Sequence, residues 1–306
     1  MISTNIKTIQ VPQHSEVWLN GTLYYDQNKP SDLDAEQMTP LLIYLHGGGL
    51  IYGTRNDLPK YHIELFVNMG YQVLCLDYPL LPSVTFDVLL ATIDAYIRWI
   101  SQKPMALRPF NVYDIFGRSA GSYLAFKWTE MCVKNNHYPK PRNLIAFYGY
   151  PTYNVDVFND PQKHQNHIHI PSNALKGMPM DQLITDDPLL QRAVYYAYLR
   201  QEGKWLETLF GMDAQGWNFH DAFYQSLISE YDVDNTTLSD FPRTFMAASV
   251  DDEDVPLSIG KQFSKRLPSS VFHQVYGLPH DFDKHINHTE VKNLMQKLIV
   301  WLKNNH

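Results

Sequence analysis

Phe116-Gly117-Arg118-Ser119-Ala120-Gly121 is the stretch on which the fold of this chain turns. It sets a serine between two glycines, directly after the apolar run Val112 to Phe116 and directly before the helix-like run Tyr123 to Val133. In that context G-x-S-x-G has a mechanism: a strand turns sharply into a helix, and the serine sits on the strained turn with its hydroxyl exposed. Glycine on both sides lets neighbouring backbone come closer than a Cβ would permit. The motif alone is short enough to arise by chance, so its weight rests on what lies upstream and downstream.

Outward from the serine, short apolar runs alternate with longer helical patterns. Leu41 to Leu45, Tyr71 to Leu76, Val112 to Phe116, Leu144 to Phe147, Thr244 to Ser249 and Val271 to Val275 read as strands buried on both faces. Between them lie helical patterns at Tyr61 to Met69, Phe86 to Ile100 and Tyr123 to Val133. Near the end of the chain Val291, Leu294, Leu298, Ile299 and Leu302 build one apolar stripe. This alternation predicts an α/β fold, a mostly parallel, doubly wound sheet with helices on both faces. Ligands in such sheets bind at the carboxyl ends of the strands. From Pro151 to about Asp240 the rhythm fails: no clean strand appears, and helical patterns recur at Leu189 to Leu199 and Trp205 to Phe210. So long a segment is not a structureless loop. It reads as a mainly helical cap, residues 151–240, inserted in a core made of 1–150 and 241–306; a separate binding domain is the alternative.

His46-Gly47-Gly48-Gly49 follows the strand Leu41 to Leu45. Three consecutive glycines let backbone N–H groups crowd a ligand. Gly48 and Gly49, with the N–H of Ala120 beside the serine, are the candidate oxyanion hole, donors for a carbonyl oxygen as it gains charge. A serine hydroxyl is a weak nucleophile until a base takes its proton. Of the 13 histidines, His280 is best placed, in the loop after the last strand; His285 and His288 lie near the entry to the final helix and read as solvated. The carboxylate that would orient His280 belongs in Ser249-Val250-Asp251-Asp252-Glu253-Asp254-Val255-Pro256. Asp252 is preferred there, ahead of Asp251 and then Asp254. The candidate catalytic residues are therefore Ser119, Asp252 and His280.

Other features exclude more than they assign. A net charge of −7 gives no footprint for nucleic acid or an anionic membrane. No apolar run is long enough to span a bilayer, and Met1 to Val11 reads as neither signal nor transit peptide, so a cytoplasmic protein is expected. Cys75 and Cys132 read as structural thiols. His164, His167 and His169 cluster without a metal-ligand spacing, and no nucleotide-binding glycine pattern occurs; neither metal nor cofactor is expected. Tyr195, Tyr196, Tyr198, Trp205 and Phe210 either line a pocket from the cap or form the cap's own core.

Together these residues resemble the α/β-hydrolase superfamily, in particular the lipase and carboxylesterase group with the H-G-G-G oxyanion motif, related to hormone-sensitive-lipase-type esterases. The resemblance rests on His46 to Gly49, Gly117 to Gly121, Asp252 in D-x-x-V-P, His280, and Asp77-Tyr78-Pro79-Leu80, which is similar to D-Y-R-L. The D-x-x-V-P spacing favours Asp252 over Asp251. The chain departs from that group at Arg118, where Asp, Glu or His is usual, at Pro79 in place of Arg, and in lacking long N-terminal cap helices. Arg118 either binds a substrate carboxylate or pairs with a structural acid. The resemblance implies an α/β-hydrolase fold and a serine hydrolase acting on carboxylic esters, with short acyl groups favoured. Two alternatives are an amide hydrolase, peptidase or arylformamidase-like, using the same triad, and a non-catalytic small-ligand binder on the same scaffold. The expected partner is a small-molecule ester, with a homodimer compatible and neither nucleic acid nor membrane insertion expected.

Overall fold

The computed structural model describes residues 1–28, 38–161, 169–178, 182–212 and 222–304. Among these, eight strands form one sheet: β1 (Ile2–Val11), β2 (His14–Tyr25), β3 (Leu41–Leu45), β4 (Gln72–Leu76), β5 (Tyr113–Arg118), β6 (Asn143–Phe147), β7 (Arg243–Ser249) and β8 (Ser270–Val275). Their order across the sheet is β1-β2-β4-β3-β5-β6-β7-β8. β1 pairs antiparallel with β2, and β2 antiparallel with β4. Every other neighbouring pair is parallel. From β3 the chain first goes to β4 on one side and later returns to β5 on the other, so the sheet changes direction between β3 and β5. That crevice is where the carboxyl ends of parallel strands leave room for a ligand.

Helices α1 (Lys60–Asn68), α2 (Phe86–Ser101), α3 (Ala120–Lys134), α4 (Gln191–Glu202), α5 (Trp205–Leu209), α6 (Ala222–Ser229), α7 (Leu257–Ser264) and α8 (Thr289–Lys303) complete the described elements, with short 3-10 turns between them. The period of two along β3 sends its side chains to opposite faces. Leu41, Ile43 and Leu45 join a core layer with Leu89, Ile93 and Ile97 of α2 and Leu124 of α3. Leu42 and Tyr44 join the other layer, with Ile63 and Phe66 of α1 and Leu294 and Leu298 of α8. Thr85 caps α2 by accepting from the Val88 N–H at 3.3 Å, satisfying one of the donors that a helix start leaves open. α4, α5 and α6 lie between β6 and β7, and no strand occurs there among the described residues. No helix among the described residues is long and apolar enough to cross a membrane.

The structure differs from the sequence expectation in three places. The hairpin β1–β2 was not expected: Ile2–Val11 alternates and leaves only Thr8 and Val11 buried, so it lacks the apolar run that marks a central strand. Val271 to Val275 is a strand, but not one covered on both faces. β8 is the sheet edge, and every residue but Val275 is only half-buried. The α8 stripe closes with Met295 rather than Ile299, which sits at its border. Leu298→Ala, removing a fully buried side chain, is expected to cost about 2–5 kcal/mol in urea unfolding. Val300→Ala on the exposed face of the same helix should stay within about 0.5 kcal/mol.

Candidate active site

β5 ends at the sharp turn. Ser119 takes φ 51° and ψ −122°, a backbone conformation that an L-residue rarely adopts. Its own N–H donates to the carbonyl oxygen of Phe147 at 2.9 Å, which fastens the turn to the end of β6. The Ser122 hydroxyl adds bonds to the carbonyls of Gly117 at 2.7 Å and Phe147 at 3.1 Å. On the β3 side, a Cβ at Gly121 would stand 2.1 Å from the Leu45 carbonyl oxygen, so no other residue fits without moving a central strand.

The loops after β7 and β8 reach the serine turn after β5 one through the other. His280, in the loop after β8, brings Nε2 to 2.9 Å from Ser119 Oγ. Its Nδ1 lies 2.7 Å from Asp252 Oδ2, in the loop after β7. The Asp252 side chain is fully buried, and its Oδ1 accepts from the N–H groups of Asp254 at 2.9 Å and Val255 at 2.8 Å. Asp251 points elsewhere and accepts from the Gly277 N–H at 2.7 Å. Asp254 approaches Arg200 at 3.9 Å. Of the acids considered for the loop, Asp252 is the one whose carboxylate reaches the imidazole. Burial of His280 works against its charged form, but the negative charge of Asp252 and its hydrogen bond, with Asp254 and Asp281 nearby, outweigh burial and raise the pKa above the ordinary histidine value. His285 and His288 are exposed.

Gly48 and Gly49 follow β3 with φ of +101° and +60°. Among the described residues none accepts a hydrogen bond from the N–H of Gly48, Gly49 or Ala120. The turn is held through its carbonyls instead. Gly48 O accepts from Ile51 and Tyr52, and Gly49 O accepts from the Trp205 indole at 3.0 Å. A Cβ on Gly49 would lie 2.3 Å from the Tyr196 ring. His46 is fully buried and stacks on Tyr78 with ring centres 4.1 Å apart; burial pushes its pKa below the usual value.

A cavity of about 210 Å³ opens onto Ser119 and His280, lined also by Gly48, Gly49, Tyr52, Tyr148, Leu190 and Tyr196. Two readings of the aromatic residues in the insertion thus divide between residues. Tyr196 lines the cavity, whereas Trp205 is buried in the core and Phe210 stacks on Phe86 at 4.8 Å. His164 and His167 lie outside the described residues, and His169 is exposed. Cys75 and Cys132 are buried, free thiols.

Arg118 also borders the cavity, but its guanidinium is engaged. It donates to Asp283 at 2.9 Å, to Tyr148 Oη at 2.6 Å and to the carbonyl oxygen of Asp57 at 3.2 Å. Asp283 is fully buried and also accepts from Tyr148 Oη at 2.6 Å and from His62 Nε2 at 2.9 Å. Burial would push the Asp283 carboxyl up; the Arg118 charge, with the His62 and Tyr148 bonds, more than reverses this and holds it well below the usual carboxylate range. Arg118 is therefore paired with structural acids. Sequence reasoning did not find Tyr52, Tyr148 or Asp283. Tyr148 carried a usable signal, since it directly follows a strand end as Ser119 does.

A family model described as alpha/beta hydrolase fold matches residues 42–282. The crystal structure of an alpha/beta hydrolase superfamily protein from Enterococcus faecalis is 30% identical, superimposes with a TM-score of 0.80, and each chain covers 99% of the other. A carboxyl esterase 2 from the fungus Tuber melanosporum shares the fold at 17% identity and a TM-score of 0.66, over 99% of this chain and 86% of that one. A non-reducing polyketide synthase of Preussia isomera is 26% identical over 167 residues, 52% of this chain but 6% of the synthase. The match thus spans a small part of that relative's length.

Asp283→Ala would leave the Arg118 guanidinium buried with its main counter-charge gone. A loss of about 3–5 kcal/mol is expected in urea unfolding. Tyr148→Phe, which removes only a hydroxyl from the cluster, should cost about 1–2 kcal/mol in the same assay.

Proposed function

The chain belongs to the alpha/beta hydrolase fold family, and from that premise we propose that it is a serine hydrolase that cleaves carboxylic esters of short acyl groups through an acyl-enzyme. The observation that carries this reading is the unbroken relay from Asp252 through His280 to Ser119, at 2.7 and 2.9 Å, beside three N–H groups without an acceptor among the described residues.

In this mechanism Ser119 Oγ attacks the acyl carbon as His280 Nε2 takes its proton. Asp252 holds the Nδ1–H tautomer and stabilises the imidazolium. The carbonyl oxygen gains charge, and the N–H groups of Gly48, Gly49 and Ala120 receive it. Because these donors are already oriented, little reorganisation is needed at the moment of reaction. His280 then returns the proton to the departing alcohol. Water enters, loses a proton to the same nitrogen and attacks the acyl carbon; the acyl–Oγ bond then breaks as His280 returns that proton to Ser119, and the acid leaves. The strained backbone of Ser119 fits this role, since it holds the hydroxyl at the sheet rim rather than folding it into α3.

The cavity supports small substrates. About 210 Å³ is below the roughly 300–1,000 Å³ usual for ligand pockets, and Tyr52, Tyr196 and Leu190 wall it in. The ester reading also takes its lead from the fungal carboxyl esterase that shares the fold. Arg118 was the one hint of a carboxylate-binding peptidase, and its engagement with Asp283 and Asp57 weakens that alternative.

Two measurements test the reading. On p-nitrophenyl esters from acetate to decanoate, turnover should be greatest for short chains, and Ser119→Ala should lower kcat by a factor on the order of 10⁶. Equal loss-free turnover by the variant, or no hydrolysis of any ester by the wild type, contradicts it. His280 must be neutral to act as base, so a raised pKa moves the acid limb of kcat/KM against pH above the ordinary histidine midpoint, with activity lost as pH falls through it. Asp252→Asn removes the main charge that raises it; the limb should shift to lower pH while kcat falls by roughly 10⁴.

A further inference from the structure

We propose that Arg200 is a positioning residue that holds the oxyanion turn and the acid loop in register, a role that rests on the ester-hydrolase reading of the same site. Arg200 lies on α4, outside the triad and the glycine turn, and is 3% exposed. Its guanidinium sits on the Trp205 ring, 4.8 Å from the ring centre. One nitrogen, Nη1, donates to Tyr196 Oη at 2.7 Å. The other, Nη2, donates to the carbonyl oxygen of Asp254 at 3.3 Å.

Each partner leads to a different arm of the site. Trp205 donates its indole N–H to Gly49 O, and the Tyr196 ring occupies the space where a Cβ on Gly49 would lie. The two rings meet edge to face, with centres 5.6 Å apart. Arg200 thereby contacts two of the side chains that touch the oxyanion turn. On the other side, the Asp254 N–H donates to Asp252 Oδ1 at 2.9 Å, one of two backbone bonds that hold the acid in place. A planar guanidinium can stack on one ring and donate in its own plane in two directions at once. A lysine ammonium carries the charge but has neither the plane nor the fork. Displacing Gly49 moves an oxyanion donor, and displacing Asp254 loosens the carboxylate that orients His280. Misplacement on the scale of 1 Å at a reacting centre costs roughly 100-fold in rate.

The test is the second-order rate at which a fluorophosphonate phosphonylates Ser119. That step uses the serine, His280 and the oxyanion donors without needing any particular ester. Wild type, Arg200→Ala, Arg200→Lys and Tyr196→Phe are compared per folded molecule, with kcat and KM on p-nitrophenyl acetate normalised by active-site titration. Arg200→Ala and Arg200→Lys are both expected to slow phosphonylation and kcat by roughly 10- to 100-fold with KM changed less than about threefold. Tyr196→Phe should give a smaller drop of the same kind. Should Arg200→Ala not fold, Arg200→Lys carries the comparison. A folded Arg200→Lys enzyme with per-site rates within about twofold of wild type overturns the proposal, leaving Arg200 a packing residue whose loss is seen only in stability. If wild type is phosphonylated but hydrolyses no ester, the ester reading falls while the labelling rates still decide the role of Arg200. If Ser119 is not phosphonylated at all, both fall.

Discussion

The contact of backbone on backbone at the end of β5 sets everything else. Gly121 lies so close to the Leu45 carbonyl that the first turn of α3 is pressed against β3. The chain leaves β5 for α3 through a residue at positive φ, Ser119. The strain is held by bonds to β6 and by the packing of α3, which is buried along most of its length. From the same close approach comes the neighbourhood of Ser119 and the glycine turn after β3. The glycine turn after β3 and the serine turn after β5, far apart in sequence, thus become adjacent as a property of the sheet.

A second constraint operates just behind the serine. Arg118, Asp283, His62 and Tyr148 form a buried, mutually bonded cluster joining α1, β5, β6 and the loop that bears His280. Burying a guanidinium and a carboxylate together is costly, and the attraction between them offsets that cost only when the remaining donors and acceptors are satisfied. Here the tyrosine hydroxyl and the imidazole take much of that role. Asp283 is three residues beyond His280, so an ion pair at the strand end also anchors the loop that carries His280.

Central strands were legible because a strand covered on both faces must be apolar throughout, and β3, β4 and β6 obey that almost to the residue. The β1–β2 hairpin was not, because strands at an exposed edge carry polar residues at alternate positions and resemble loops. Ser119 and the glycines were readable because their spacing is local. Asp252, among several nearby acids, was distinguished by a spacing shared with other proteins, and the structure separates the acids by which oxygen meets which donor. The Arg118–Asp283 pair was invisible: its members are 165 positions apart, and nothing in either neighbourhood names the other.

The indole of Trp205 bonding to Gly49 has a bearing on how such proteins diversify. A segment that only roofed the pocket could be exchanged between lineages as a unit, changing the molecules admitted and nothing else. Here α5 is bonded to the backbone of the turn after β3. A change in the residues packed around the cavity therefore reaches the backbone of the turn after β3. The cavity wall and the glycine turn are inherited together in this chain, and a lineage that changes one must re-pack the other.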